Sequence, residues 1–151
     1  MLTEQEINDI RTFNRQYTQV LGVLNKRTFD TDLTWPEGRI LVEIGVNHLN
    51  TPMAVTRALN LDKSYVSRTI KRLVGKGILA KKPSPTDSRS INISLTKKGQ
   101  EVFKDINQKS NNLIKDLLVG LSPAEQEEYR KSIAKINQLL FRRENQRNVE
   151  G

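Results

Sequence analysis

Apolar side chains recur at three- and four-residue steps along much of the chain, which is the spacing of one face of an amphipathic helix. The first such stretch runs from about Thr3 to Thr28 and predicts one long helix. Its apolar positions are Ile7, Ile10, Phe13, Tyr17, Val20, Leu21 and Leu24.

A second helix is predicted to begin at Thr34. Pro36 falls in its first turn, where a missing N–H costs nothing, and Glu37 completes a capping box with Thr34. Gly38 weakens this prediction slightly. The apolar face is expected to comprise Ile40, Leu41, Ile44 and Val46.

Two short helices joined by a tight turn are predicted next. Thr51 caps the first, and its buried side is expected to be Met53, Val55, Ala58 and Leu59. Asn60 to Asp62 forms the turn, and Asp62 caps the second. The buried side of that second helix is expected to be Val66, Ile70, Leu73 and Val74. Gly75 and Gly77 are the candidate C-cap residues that end it.

The pattern then changes to that of a β-hairpin. The segments ILAKK and SINISL alternate or are β-branched, as strands are, and the Pro- and Ser-rich segment PSPTDSR between them predicts the tip. Thr96 is expected to cap a long helix after the hairpin. Ser122, Pro123 and Glu125 then form a strong start for a last helix.

This order of elements predicts a mainly α fold with a small β-hairpin wing, a winged helix-turn-helix with N- and C-terminal dimerisation helices. We expect a single domain over residues 1–141. Its DNA-binding lobe would span about 34–98, and its helical dimerisation lobe about 3–28 and 99–141. Residues 142–151 lose the apolar pattern and are expected to form a frayed tail.

Positive charge is concentrated in the middle of the chain. The net charge is +8, and residues 51–98 alone hold eleven Lys or Arg against two acids, a local excess of +9. A solvated basic surface is one explanation, and a polyanion-binding surface is the other. The helix after Asp62 favours the second, because its polar face combines short polar and long cationic side chains, as a major-groove helix requires.

The candidate recognition helix therefore has two kinds of DNA-binding residue. Those in its first turns are expected near base edges, and those further on are expected near phosphates. The candidates are Lys63, Ser64, Tyr65, Ser67, Arg68, Lys71 and Arg72, with Lys81 and Lys82 of the hairpin as further phosphate contacts.

The segment LNLDKSYVSRTIKRLVGKGIL, followed by Asp87-Ser88-Arg89 and INISLTKKG, resembles the MarR family of multiple antibiotic resistance regulators. The resemblance extends over nearly the whole chain. It implies a dimeric, sequence-specific repressor of transcription on double-stranded DNA. It also implies that Arg89 enters a minor groove and that Asp87 pairs with a basic side chain and orients it, simple turn chemistry being the alternative.

The terminal helices carry more apolar surface than one small winged domain covers, which predicts a homodimer. The resemblance further implies a small aromatic or anionic effector in a crevice between lobes. Phe13, Tyr17 and Trp35 are the candidate lining residues, although Phe13 and Tyr17 fit a core or dimer contact better. His48, the single histidine, is expected at the surface.

Composition excludes several classes of site. The chain has no cysteine, so a thiolate zinc site, a thiol redox sensor and a cysteine nucleophile are excluded. We expect no catalytic residues, no metal and no cofactor. No apolar run reaches the roughly 18 residues of a membrane span and the N-terminus is polar, so a cytoplasmic protein without membrane contact is expected.

Two other functions compete with a specific repressor. One is a nucleoid-type protein that binds DNA by charge alone. The other follows from the segment RTFNRQYTQVLGVLN, which resembles a branch of the family whose members are often fused to an N-acetyltransferase domain. On that reading the chain is the regulatory half of such a fusion, without an acetyl-coenzyme A loop of its own.

Overall fold

Six helices and one hairpin make up the computed structural model, which describes residues 1–87 and 89–141. The elements are α1 (Glu4–Leu21), α2 (Trp35–Asn47), α3 (Pro52–Leu59), α4 (Lys63–Gly75), β1 (Leu79–Pro83), β2 (Ile91–Leu95), α5 (Lys97–Leu118) and α6 (Pro123–Leu140). The mainly α fold class with a hairpin wing is thereby confirmed.

Side-chain caps fix where the helices begin. Thr34 and Ser122 each accept a hydrogen bond from the N3 backbone, and the N3 glutamates, Glu37 and Glu125, accept one in return from the cap residue's N–H. These are the two capping boxes that the sequence predicts. The Asp62 carboxylate likewise accepts from the Tyr65 N–H at 3.0 Å and starts α4.

The first helix is shorter than its apolar pattern predicts. It ends at Leu21 because Gly22 adopts a left-handed conformation, φ 73°, and its N–H turns back to carbonyls of the last turn. The predicted extension to Thr28 is wrong. Thr28 is instead buried in the following loop, where its hydroxyl donates to the Thr34 carbonyl at 2.9 Å.

The predicted hairpin is confirmed. Strands β1 and β2 pair antiparallel, with Leu79 opposite Leu95 and Pro83 opposite Ile91. Leu79 and Ile93 are buried, whereas Lys81 and Lys82 are exposed. The hairpin thus packs one part of its surface on the core and presents its cations to solvent.

The hydrophobic core lies among α2, α3, α4, the hairpin and the start of α5. It contains Leu33, Ile40, Leu41, Ile44, Val55, Val66, Ile70, Leu73, Ile78, Leu79, Ile93 and Ile106.

Three positions predicted on buried faces are exposed. Met53 is 40% exposed and Val46 is 54% exposed. Each lies two residues from a fully buried neighbour, Val55 or Ile44, and residues two apart on a helix do not share a face. Ala58, in the last turn of α3, is exposed as well.

The chain divides into two compact units, residues 1–109 and residues 110–141 of the described chain. In the second unit, α6 has no fully buried residue, and Leu139 and Leu140 are each 61% exposed. The predicted grouping of 3–28 with 99–141 in one lobe stays a prediction, and the predicted tail 142–151 lies outside the described residues. None of the described helices has the length and hydropathy that a membrane span needs.

Candidate nucleic-acid interface

The turn between α3 and α4 is held by its own backbone. Asn60 adopts a left-handed conformation, φ 49°, and its N–H donates to carbonyls of the last turn of α3. Leu61 N donates to the Thr56 carbonyl at 3.3 Å, and Asp62 then caps α4. This geometry sets the two short helices in a helix-turn-helix.

Helix α4 has one buried side and one exposed side. Val66, Ile70 and Leu73 are at most 1% exposed and pack into the core. On the opposite side Ser64 and Lys71 are seven residues apart and so lie on the same face. The exposed predicted residues of α4 are Lys63, Ser64, Ser67, Arg68, Lys71 and Arg72, and Tyr65 is half-buried.

Most of the predicted cations have no acidic partner. Among the described residues, no ion pair involves Arg68, Lys71, Lys81, Lys82 or Arg89. A cation without an internal counter-charge retains its full attraction for a polyanion. Arg68 and Lys71 of α4 and the cations of the hairpin therefore form a cationic surface that no acidic group of the described residues neutralises.

Arg72 differs from the other predicted DNA contacts. Its Nε lies 3.3 Å from Oε1 of Glu37, and its guanidinium also donates to the Thr69 hydroxyl at 3.1 Å. Lys76 Nζ lies 2.8 Å from the other oxygen, Oε2, of the same carboxylate. The Glu37 side chain is only 3% exposed, so α2 and α4 share a buried acidic group.

Sequence reasoning missed this role of Glu37, because the capping box already accounted for its carboxylate. A signal was present in α4. Arg72 and Lys76 are four residues apart, so both cations lie on one flank of the helix, beside Tyr65 rather than beside Lys71.

The wing tip is organised by Asp87. Its Oδ1 accepts from the Arg89 backbone N–H at 3.0 Å and its Oδ2 accepts from the Ser90 hydroxyl at 3.3 Å. These contacts are the turn chemistry that was the alternative for this aspartate. Orientation of the Arg89 side chain by Asp87 stays a prediction, and Ser88 lies outside the described residues.

The candidate effector residues are only partly brought together. The rings of Phe13 and Tyr17 stack with centroids 5.4 Å apart on α1, and Phe13 is 51% exposed. Trp35, the first residue of α2, makes no ring contact with them within the described chain. In the same residues no group of three His, Asp or Glu is arranged to hold a metal ion.

Comparison with known proteins matches this region to one family. The family model described as MarR family matches residues 31–90. The multiple antibiotic resistance protein MarR of Escherichia coli is 28% identical over 86 residues, which are 57% of this chain and 60% of that protein. Over these residues the chain is similar to the MarR family.

Solved structures of MarR-family regulators extend the match in fold beyond the winged domain. The E. coli MarR mutant complexed with operator DNA has a TM-score of 0.64 at 25% identity and covers 85% of this chain and 96% of that one. FabT of Streptococcus pneumoniae in complex with DNA has a TM-score of 0.73 at 24% identity, covering 91% and 97%.

A third structural neighbour is a DNA-binding protein that a small molecule regulates. BpsR of Bordetella bronchiseptica, described for regulation of its DNA binding by 6-hydroxynicotinic acid, has a TM-score of 0.66 at 21% identity. It covers 86% of this chain and 98% of that one. At this identity the likeness establishes the fold alone.

Proposed function

We propose that this protein is a transcriptional regulator that binds double-stranded DNA in a sequence-specific manner. The observation that carries the proposal is the two-sided character of α4. Val66, Ile70 and Leu73 are buried, and on the exposed polar and cationic side Arg68 and Lys71 make no ion pair within the described residues. A major groove about 12 Å wide accepts one such helix. The DNA complexes of E. coli MarR and FabT support this function.

Within this proposal some residues of α4 contact base edges and others contact phosphates. Ser64, Tyr65, Ser67 and Arg68 face base edges, because the first turns of a recognition helix approach them most closely. Lys63 and Lys71 lie at the edges of that surface and contact phosphates. Lys81 and Lys82, exposed on β1, add phosphate contacts from the hairpin.

The wing contacts the minor groove, whereas α4 contacts the major groove. Arg89 is exposed at the tip of the hairpin and makes no ion pair within the described residues. We assign it to a minor groove flanking the α4 site, where an arginine responds to groove width and to A·T content.

The regulator acts as a homodimer and represses transcription by occupying a pseudo-palindromic operator. Exposed apolar side chains support self-association: Ile10 and Phe13 on α1 are each 51% exposed, and α6 exposes Leu139 and Leu140. Surfaces of this kind are normally covered by a partner. A two-fold dimer sets two recognition helices about 34–36 Å apart, one turn of DNA.

A small aromatic or anionic effector releases the operator. The stacked Phe13–Tyr17 pair, in which Phe13 is exposed and Tyr17 half-buried, supports an aromatic ligand, because a flat ring stacks on an exposed aromatic face. The structural neighbour BpsR, whose DNA binding is regulated by 6-hydroxynicotinic acid, supports an effector of this chemical class.

Selection of bound sequences from random duplexes at near-physiological salt tests the function. The expected result is enrichment of two related half-sites with centres about 34–36 Å apart along the DNA. Binding without enrichment of any sequence would instead identify a nucleoid-type protein that binds by charge alone.

A further inference from the structure

Glu37 is an acidic residue buried beneath the proposed DNA-binding surface. Its carboxylate accepts from the Thr34 backbone N–H at 3.3 Å, lies 3.3 Å from Arg72 Nε and lies 2.8 Å from Lys76 Nζ. Lys76 also donates to the Asp32 carbonyl at 2.7 Å. The start of α2 is therefore tied to the second half of α4 by charge-assisted hydrogen bonds.

The burial of this group makes its partners important. A carboxylate removed from water is costly unless cations and donors compensate it, and breaking such a pair leaves an uncompensated charge. Arg72, in the last turn of α4, and Lys76, its C-cap residue, provide that compensation. Rotation of α4 about its axis would pull at least one of them away from Glu37.

Its pairing with Glu37, rather than its position on α4, separates Arg72 from the proposed DNA contacts, since it is exposed and lies four residues after Arg68. It lies seven residues after Tyr65, which is half-buried, and on the same flank as Lys76. Lys71, the neighbouring residue, lies on the exposed face with Ser64. Arg72 and Lys71 are thus adjacent cations with different surroundings: Arg72 pairs with a buried acid, and Lys71 has no ion pair among the residues that the structure describes.

We propose that Glu37 is a positioning residue for DNA recognition, which clamps α4 through Arg72 and Lys76 and fixes how its exposed face meets the groove. Arg72 belongs to this clamp and is not a phosphate contact. This inference rests on the proposed DNA-binding function. It assigns a part in DNA recognition to Glu37, a residue of α2 that does not contact DNA.

The test compares Glu37→Gln, Arg72→Gln and the double variant with Lys71→Gln as the matched control. Glutamine retains the capping-box hydrogen bond at position 37. Each full-length variant is titrated, across a range of salt concentrations, with the duplex selected by the parent and with a scrambled duplex. Circular dichroism melting accompanies each titration.

The clamp predicts a loss of discrimination. The ratio of affinities for the selected and scrambled duplexes should fall roughly three- to tenfold in Glu37→Gln and in Arg72→Gln, with no further fall in the double variant, because the two residues act as a unit. The slope of log affinity against log salt should stay at the parent value. Lys71→Gln should weaken both duplexes alike and flatten the slope by about 0.9 per lost phosphate contact.

Other outcomes overturn the proposal in distinguishable ways. A flatter salt slope in Arg72→Gln, matching that of Lys71→Gln, would assign Arg72 to a phosphate. Equal weakening of both duplexes by Glu37→Gln, with a lower melting temperature and an unchanged ratio, would reduce Glu37 to a stabilising residue. A parent that does not discriminate between the duplexes would overturn the proposed function, and the clamp with it.

Discussion

Arg68 and Arg89 are both exposed, yet they are proposed to read different grooves from different elements. Arg68→Ala is expected to cost about 1–3 kcal/mol on the best operator and to relax preference at one or two positions in each half-site. Arg89→Ala should lower affinity comparably but relax only flanking A·T positions. Sequence selection with each purified variant measures both effects.

Arg11→Ala is the control, because Arg11 is also exposed but lies on α1. Its affinity and preference should match those of the parent. The Arg68/Arg89 double variant should be nearly additive, since the two side chains share no partner. Unchanged operator affinity in Arg89→Ala would remove the wing from the interface.

Gly99, in the first turn of α5, lies against the backbone of Ile78, the residue before β1. A Cβ at this position would lie 2.1 Å from the Ile78 carbonyl oxygen, which also accepts from Thr96 N at 3.1 Å. Gly99→Ala should therefore force a backbone shift and lower the free energy of unfolding by about 1–3 kcal/mol. Denaturant unfolding followed by circular dichroism measures the change.

Gly75→Ala is the matched control, because Gly75 is also helical and, apart from its chain neighbours and its own helix backbone, no atom of the described residues lies within 4 Å of its Cβ position. It should be neutral or stabilise the protein by about 0.5–1 kcal/mol, since alanine loses less backbone entropy in a helix. Equal stability of the two variants would mean that the contact at Gly99 relaxes without cost.

The residues of the candidate interface were predictable to different degrees. Arg68 and Lys71 follow from local spacing, because burial of Val66, Ile70 and Leu73 dictates which residues of α4 face outward. The pairing of Arg72 with Glu37 does not, since the two are 35 positions apart and their meeting depends on how α2 packs on α4. Periodicity carries no information on such long-range contacts.

At the scale of elements, the helix starts were predictable because their signals are chemical and local. Thr34, Asp62 and Ser122 each supply a side-chain oxygen at the cap. The end of α1 was not predictable, because the apolar spacing continues to Leu24 although the helix ends at Gly22. Leu24 is 87% exposed, so an apolar pattern alone overestimates a helix whose end a glycine sets.

The caps lead to a prediction at this scale. Thr34→Ala removes the oxygen that accepts from the Glu37 N–H and should lower the free energy of unfolding by about 1 kcal/mol. Thr18→Ala is the control: Thr18 lies within α1, its hydroxyl bonds back to the Asn14 carbonyl, and alanine is the better helix former. It should not destabilise the protein, and an equal loss in both variants would contradict a capping role for Thr34.

At the scale of the whole molecule, the exposed apolar side chains predict self-association. Sedimentation equilibrium at micromolar concentration should give twice the 17.3 kDa mass of one chain. Ile10→Glu combined with Phe13→Glu should shift the equilibrium to the single chain, because charge on this exposed part of α1 opposes burial. A parent protein that sediments only as single chains would contradict the dimer.

Discrimination between DNA sequences is the central claim, and fluorescence anisotropy with labelled duplexes measures it most directly. The parent protein is titrated at near-physiological salt with its selected duplex and with a scrambled duplex of the same composition. The predicted affinity ratio is about a thousandfold or more, typical of specific regulators, with a log–log salt slope near −7 if the dimer neutralises on the order of 8 phosphates. Equal affinity for the two duplexes, however tight, would contradict sequence-specific regulation by α4 and the wing.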